Sequence, residues 1–151
     1  MENEYSVYKN KLTKDDYFKK WDNEQLTNLT NDMKDEIYQK YLVKADVFQR
    51  DNFLCQSANC LTPDSKLTMH HVKFQKNAGE HKLKNCVTLC LSCHKSFHRG
   101  KKHLTLKDNP ALPSHMRGHT FKLDKDDEIN WNQIMMLIKW LEIYHNEDLD
   151  D

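Results

Sequence analysis

The chain has 151 residues, room for one domain or a small module with helical additions, and 38% hydrophobic against 30% charged residues makes a lean core of the kind a bound metal often braces. No apolar run is long enough to cross a bilayer, and the opening MENEYSVYKNKLTK lacks the apolar centre of a secretory signal, so a cytoplasmic, reducing setting without a membrane partner is expected. In that setting five cysteines, an odd number, argue against a disulfide framework and for metal ligation.

The net charge of zero hides a segregation. Between Lys66 and Lys102 nine basic residues stand against one acid, Glu80, a balance of +8. Residues 1–65 carry −3 and residues 103–151 carry −5. A block of one sign on a neutral chain is either a solvated basic loop region or a surface facing a polyanion.

The first dozen residues are polar and expected to be loose. Thr13 before Lys14-Asp15-Asp16 resembles a helix start, with acids in the first turn, and a short helix through Tyr17, Phe18 and Trp21 follows. Leu26, Leu29, Met33, Ile37 and Tyr41 recur at spacings of three and four, which predicts a longer helix from Asn23 or Glu24 to Tyr41. Val43 to Arg50 either continues it or forms a second helix. Asp51-Asn52 is a turn signal.

From Phe53 the segments shorten. Lys66 to His70 alternates like a strand, Asn77-Ala78-Gly79 is a loop, and Cys86 to Leu89 is the returning strand. Leu91 to Arg99 reads as a helix that Gly100 ends. Pro110 and Pro113 mark an irregular connector. A final helix is expected from Asp126-Asp127-Glu128 to about Tyr144, with Trp131, Ile134, Ile138 and Leu141 on one face. That face is either docked on the core or a homodimer contact. The implied division is a helical extension over residues 1–49, a central module over 50–103, and a connector with its helix over 104–151. The fold class is α+β.

Two motifs carry chemistry. Cys55-x4-Cys60 and Cys90-x2-Cys93 are short-spaced pairs that can clasp the two sides of a tetrahedral ion. Four sulfur ligands leave no position for water, so the ion would be structural. Zinc fits, and an iron–sulfur cluster has the same ligand count. Cys86, in an apolar strand context, reads as a buried free thiol. Nine histidines are many for this length, and four of them form His70-His71 and His94-x3-His98. Residues four apart on a helix share a face, so His94 and His98 can point at one ion. Cys93 and His94 are turned by about 100° around the helix, so sulfur and imidazole sites would lie on different sides of it.

The order of these residues is specific. Cys55-x4-Cys60 comes first, then His70-His71-Val72-Lys73-Phe74, then Asn85-Cys86-Val87-Thr88-Leu89-Cys90-x2-Cys93-His94-x3-His98. It resembles the HNH, or His-Me finger, nucleases, in particular their small zinc-braced members, over about 50 residues from Arg50 to Arg99. The first cysteine pair is spaced by four rather than the commoner two, Cys86 stands where an aliphatic residue is usual, and the loop has one glycine, Gly79, where many members have two.

The resemblance implies a ββα-metal finger, flanked by the terminal helices, that cuts DNA, most simply double-stranded, leaving 5′-phosphate and 3′-hydroxyl ends. His71 would be the general base. His70, His94 and His98 would hold one divalent cation, Mg2+ or Mn2+, with Ni2+ or Zn2+ also suited to imidazole ligands. Asn85 would pin the hairpin and so orient His71. Lys73, Lys76, Lys95, Arg99, Lys101 and Lys102 would meet the nucleic acid. Adjacent residues on a strand face opposite ways, so His70 and His71 can share a site only where the strand ends or twists. A non-catalytic zinc module that binds nucleic acid would explain the cysteines and the basic block equally well, but not the histidines and asparagine in register. A protein adaptor built on the terminal helices is a third reading.

Overall fold

The computed structural model describes residues 5–60, 66–73, 80–98 (the side chain of His98 aside) and 103–122. The expected C-terminal helix and its dimer contact, with Lys76, Arg99, Lys101 and Lys102, lie outside these residues.

The N-terminal region is helical, and side-chain caps set its boundaries. After α1 (Ser6–Lys9), Thr13 starts α2 (Lys14–Phe18) by accepting a hydrogen bond from the Asp16 N–H. Asp22 and Gln25 form a reciprocal capping box on α3 (Asn23–Thr27). Thr30 caps α4 (Asn31–Arg50) by accepting from Met33. The single helix expected from Asn23 to Tyr41 is thus broken around Asn28, because Thr30 opens a new helix. That second helix continues without interruption through Arg50. Periodicity alone did not register the Thr30 cap inside one apolar stripe.

The N-terminal segment is not loose from Tyr5 onward. Its phenol accepts a hydrogen bond from the Leu67 N–H at 2.6 Å and its ring meets Phe48 edge-on, with centroids 5.9 Å apart. After α4 the chain reverses through Asn52 and Phe53, both with φ of 56°. Asparagine tolerates this left-handed conformation, whereas a phenylalanine pays roughly 1–2 kcal/mol. Packing holds it there: the Phe53 ring lies 6.1 Å from Phe48, and the Lys9 ammonium sits 5.2 Å above it.

The centre is an antiparallel pair, β1 (Leu67–His71) and β2 (Cys86–Cys90), followed at once by α5 (Leu91–His98). The register pairs Leu67 with Cys90, Met69 with Thr88 and His71 with Cys86. Every residue of both strands is buried, because both faces are covered. On one face Leu67, Met69 and Cys86 pack with Tyr5, Val47 and Phe48. On the other, Val87 and Leu89 pack with Phe97 of α5 and with Leu104, Leu106, Leu112 and Met116.

Those last residues come from a second hairpin, in the stretch where an irregular connector is expected from the sequence. β3 (His103–Thr105) pairs with β4 (Thr120–Lys122), and the Thr105 and Thr120 hydroxyls lie 2.8 Å apart. Strands of three residues are too short to show alternation. Gly118, with φ of 65°, supplies the turn before β4. Among the described residues no helix is long and apolar enough to cross a membrane.

Candidate metal and nucleic-acid site

The four cysteines converge. Cys55 lies in the segment before β1, Cys60 follows it, Cys90 ends β2 and Cys93 sits in the first turn of α5, and all four sulfurs lie within 4.8 Å of one another. Cys60 Sγ and Cys90 Sγ are 3.8 Å apart. In a tetrahedron with Zn–S bonds of about 2.3 Å the edge between sulfurs is also about 3.8 Å, so this edge matches zinc and the cluster could hold it. No cysteine is in a disulfide. Burial pushes the Cys55 thiol up to about 11, against backbone hydrogen bonds from Cys90 and Ser57 that lower it, and the Cys90 and Cys60 thiols add to the rise. Burial, with Cys55 next, raises Cys93 as well. The Cys55 and Cys93 thiols therefore resist ionisation by themselves, and a cation among the four sulfurs removes that resistance.

The strand pleat decides where the double histidine goes. His70 and His71 are both fully buried, and they leave β1 on opposite faces. His70 joins α5: its ring meets His94 edge-on at 5.2 Å between centroids, and Phe97 at 5.3 Å. His94 is fixed further by Thr68. The Thr68 hydroxyl donates its one proton to the Leu89 carbonyl at 2.8 Å, so it accepts from His94 Nδ1–H at 2.7 Å. A neutral His94 then carries its lone pair on Nε2, the arrangement of a metal-ligating histidine whose other nitrogen is held by the protein. His98 ends α5 one turn further on, and its side chain lies outside the described residues. Two imidazoles with one tautomer fixed suit a divalent cation on this face.

His71 points to the α4 face. Its Nε2 lies 2.9 Å from Nδ1 of His81, a residue to which the sequence gave no role. Its imidazole and the Cys86 sulfur also lie close: His71, His81 and Cys86 present donor atoms all within 4.8 Å. The expected convergence of His70 and His71 on one pocket is therefore not what the strand delivers. β1 continues its pleat through His71, and Val72 still donates to the Asn85 carbonyl at 2.8 Å, so nothing turns the second ring toward the first.

Asn85 closes the loop between the strands. Its carboxamide oxygen accepts from the Lys73 N–H at 2.8 Å, and its amide donates to the Lys73 and Glu80 carbonyls at 3.0 and 2.7 Å. The carboxamide thus ties both ends of the connection and sets the path of the chain immediately after His71. Lys73 is exposed and Lys95, on α5, is half-buried.

A further anchor was not anticipated. Asp51, at the end of α4 and fully buried, accepts from the Thr88 N–H at 2.8 Å and from Arg50 Nε at 2.8 Å. Arg50 reaches on to the Leu83 and Cys86 carbonyls, each at 2.6 Å. Acid and base adjacent at a turn look like surface residues in a sequence; only the strand arriving from 37 residues later makes them structural.

A family model for HNH endonucleases matches residues 55–100. No curated protein matches the chain, and no solved structure does. The matched stretch contains the four-cysteine cluster, both strands of the central hairpin and the helix that carries His94. The match implies a nuclease or nucleic-acid-binding role, and residues 55–100 are similar to the HNH endonucleases.

Proposed function

We propose that the chain is a metal-dependent endonuclease acting on double-stranded DNA, a zinc-braced ββα-metal finger that leaves 5′-phosphate and 3′-hydroxyl ends. The observation that supports this most is the His94 tautomer, set by Thr68 so that Nε2 offers a lone pair on the face His70 shares. His70, His94 and His98 hold one divalent ion, Mg2+ or Mn2+. When bound, that ion polarises the scissile phosphate and stabilises the leaving oxygen. Lys73, Lys76, Lys95, Arg99, Lys101 and Lys102 neutralise phosphates around the cut. His71 takes the proton of the attacking water. That role demands that the ring leave His81 and turn past the end of β1 toward the α5 side.

The burial of His71 on the face opposite His70 favours a second reading, a zinc-stabilised module that binds DNA without cutting it. Nicking of supercoiled plasmid with Mn2+, with and without chelator, separates the two. Metal-dependent nicks by the wild-type protein are expected, and their absence leaves the binding module. His71→Ala is expected to slow nicking by about 10²–10⁴-fold while zinc content and fold persist. A wild-type rate in that variant removes His71 from the chemistry.

A further inference from the structure

We propose that His71, His81 and Cys86 form a second metal site, separate from the four-cysteine cluster, for a borderline-soft divalent ion of the Zn2+ kind. The three donor atoms lie within 4.8 Å of one another. Two of them face each other across the hairpin, where His71 and Cys86 are paired, and the third comes from the connecting loop. His71 and Cys86 are fully buried and His81 is half-buried, and three protein ligands are the number that a zinc site with one bound water uses.

The hydrogen bonds already prepare His81 for this. The Lys40 carbonyl can only accept, so the 3.3 Å contact to His81 Nε2 places a proton on that nitrogen. A neutral His81 then directs the lone pair of Nδ1 at His71 Nε2, 2.9 Å away. A backbone carbonyl orienting a histidine through its far nitrogen is how proteins aim metal ligands. Around a tetrahedral zinc with Zn–N bonds of about 2.0–2.1 Å, two ligating nitrogens stand about 3.3 Å apart. The pair therefore needs to part by only a few tenths of an ångström. On binding, His71 carries its proton on Nδ1 and offers Nε2, while Cys86 releases its thiol proton to solvent and ligates as thiolate. One proton leaves per ion bound.

The thiolate, absent from the His70, His94 and His98 set, favours an ion softer than Mg2+ or Mn2+ here. The ion that supports cutting and the ion that fills this site would thus differ. It follows, resting on the base role proposed for His71, that zinc here holds the base away from water and suppresses cutting.

Cobalt tests the site without reference to DNA. Protein carrying one zinc per chain in the cysteine cluster is titrated with Co2+, with zinc release monitored. A thiolate-to-cobalt charge-transfer band is expected to grow to one equivalent. It should survive in His94→Ala, vanish in Cys86→Ala, and require at least about tenfold more cobalt in His81→Ala, a loop substitution that spares the core. No sulfur band in the wild-type protein overturns the proposal. So does a band unchanged in His81→Ala, since cobalt would then be elsewhere. A positive result alongside an inactive nuclease keeps the site and removes only its inhibitory consequence.

Discussion

The two faces of the β1–β2 hairpin receive neighbouring histidines and surround them differently. On the α5 face His70 lies against His94 and Phe97, and Thr68 fixes the His94 ring. On the α4 face His71 lies beside a second histidine, whose far nitrogen a backbone carbonyl holds, and a thiol. Both rings are buried, so burial does not distinguish them; the partners do. An imidazole next to an oriented imidazole could offer a pair of nitrogen ligands, whereas a neighbouring thiol would add a soft donor suited to a different class of ion. One residue of offset on a strand is enough to separate these chemistries.

The largest test of this comparison removes what the faces share. The cysteine cluster ties the segment before β1 to the end of β2 and the start of α5. Structural zinc contributes apparent binding free energies of about 10–16 kcal/mol, as large as the whole stability of a typical domain. Cys90→Ser is expected to lose zinc and the cooperative thermal transition, read by circular dichroism and metal analysis. A zinc-free variant that melts like wild type would separate the faces from the cluster.

A smaller loss should come from the α4 side alone. Asp51→Ala leaves the Thr88 N–H and the Arg50 guanidinium without their buried acceptor. Breaking a buried ion pair from one side costs about 3–5 kcal/mol. The denaturant midpoint is expected to fall accordingly, while zinc stays bound. If the unfolding free energy falls by less than about 1 kcal/mol, the helix is held to the hairpin by apolar packing and the ion pair is incidental.

The sequence spelled out the cysteine cluster because each pair is local and the ligand type is rare; Cys55, Cys60, Cys90 and Cys93 needed only one long-range closure. It also gave β1, β2 and α5 within a residue or so, since period and ligand spacing coincide there. It did not separate His70 from His71, because a motif written as adjacent letters carries no face. His81 was invisible for a related reason. Its significance depends on a loop return that places it against His71, and no local pattern encodes that distance. The break between α3 and α4 was legible in principle, as Thr30 three residues before Met33 is a capping signal, but the apolar stripe running across it dominated the reading. The β3–β4 hairpin is held by tertiary contacts such as Lys107 N–H to the Gln56 carbonyl, which lie outside any window.

A change confined to the α5 face tests whether Thr68 matters to the cation. Thr68→Val keeps the shape and removes the acceptor of His94 Nδ1–H. Losing such a partner typically costs about 10–100-fold in metal affinity. Mn2+ activation of nicking should shift to higher concentration by that factor, with the cobalt behaviour of the α4 face unchanged. An unshifted activation curve would mean that His94 is oriented by packing alone.

The mildest test asks on which face the nucleic acid lies. Lys95 projects from α5, and Lys73 follows β1 at the mouth of the hairpin, where Asn85 holds its backbone from both sides. Each lysine that neutralises a phosphate contributes about 0.9 to the slope of log affinity against log salt. DNA bound across the α5 face and the mouth makes both Lys95→Ala and Lys73→Ala lower the slope by about that amount, equally for any sequence. Fluorescence anisotropy over a salt series reads it. A slope that responds to Lys73→Ala and not to Lys95→Ala would put the duplex against the mouth alone, away from His70 and His94. His71 would then be the histidine nearest the phosphates, and the cation site would have to be sought among its neighbours.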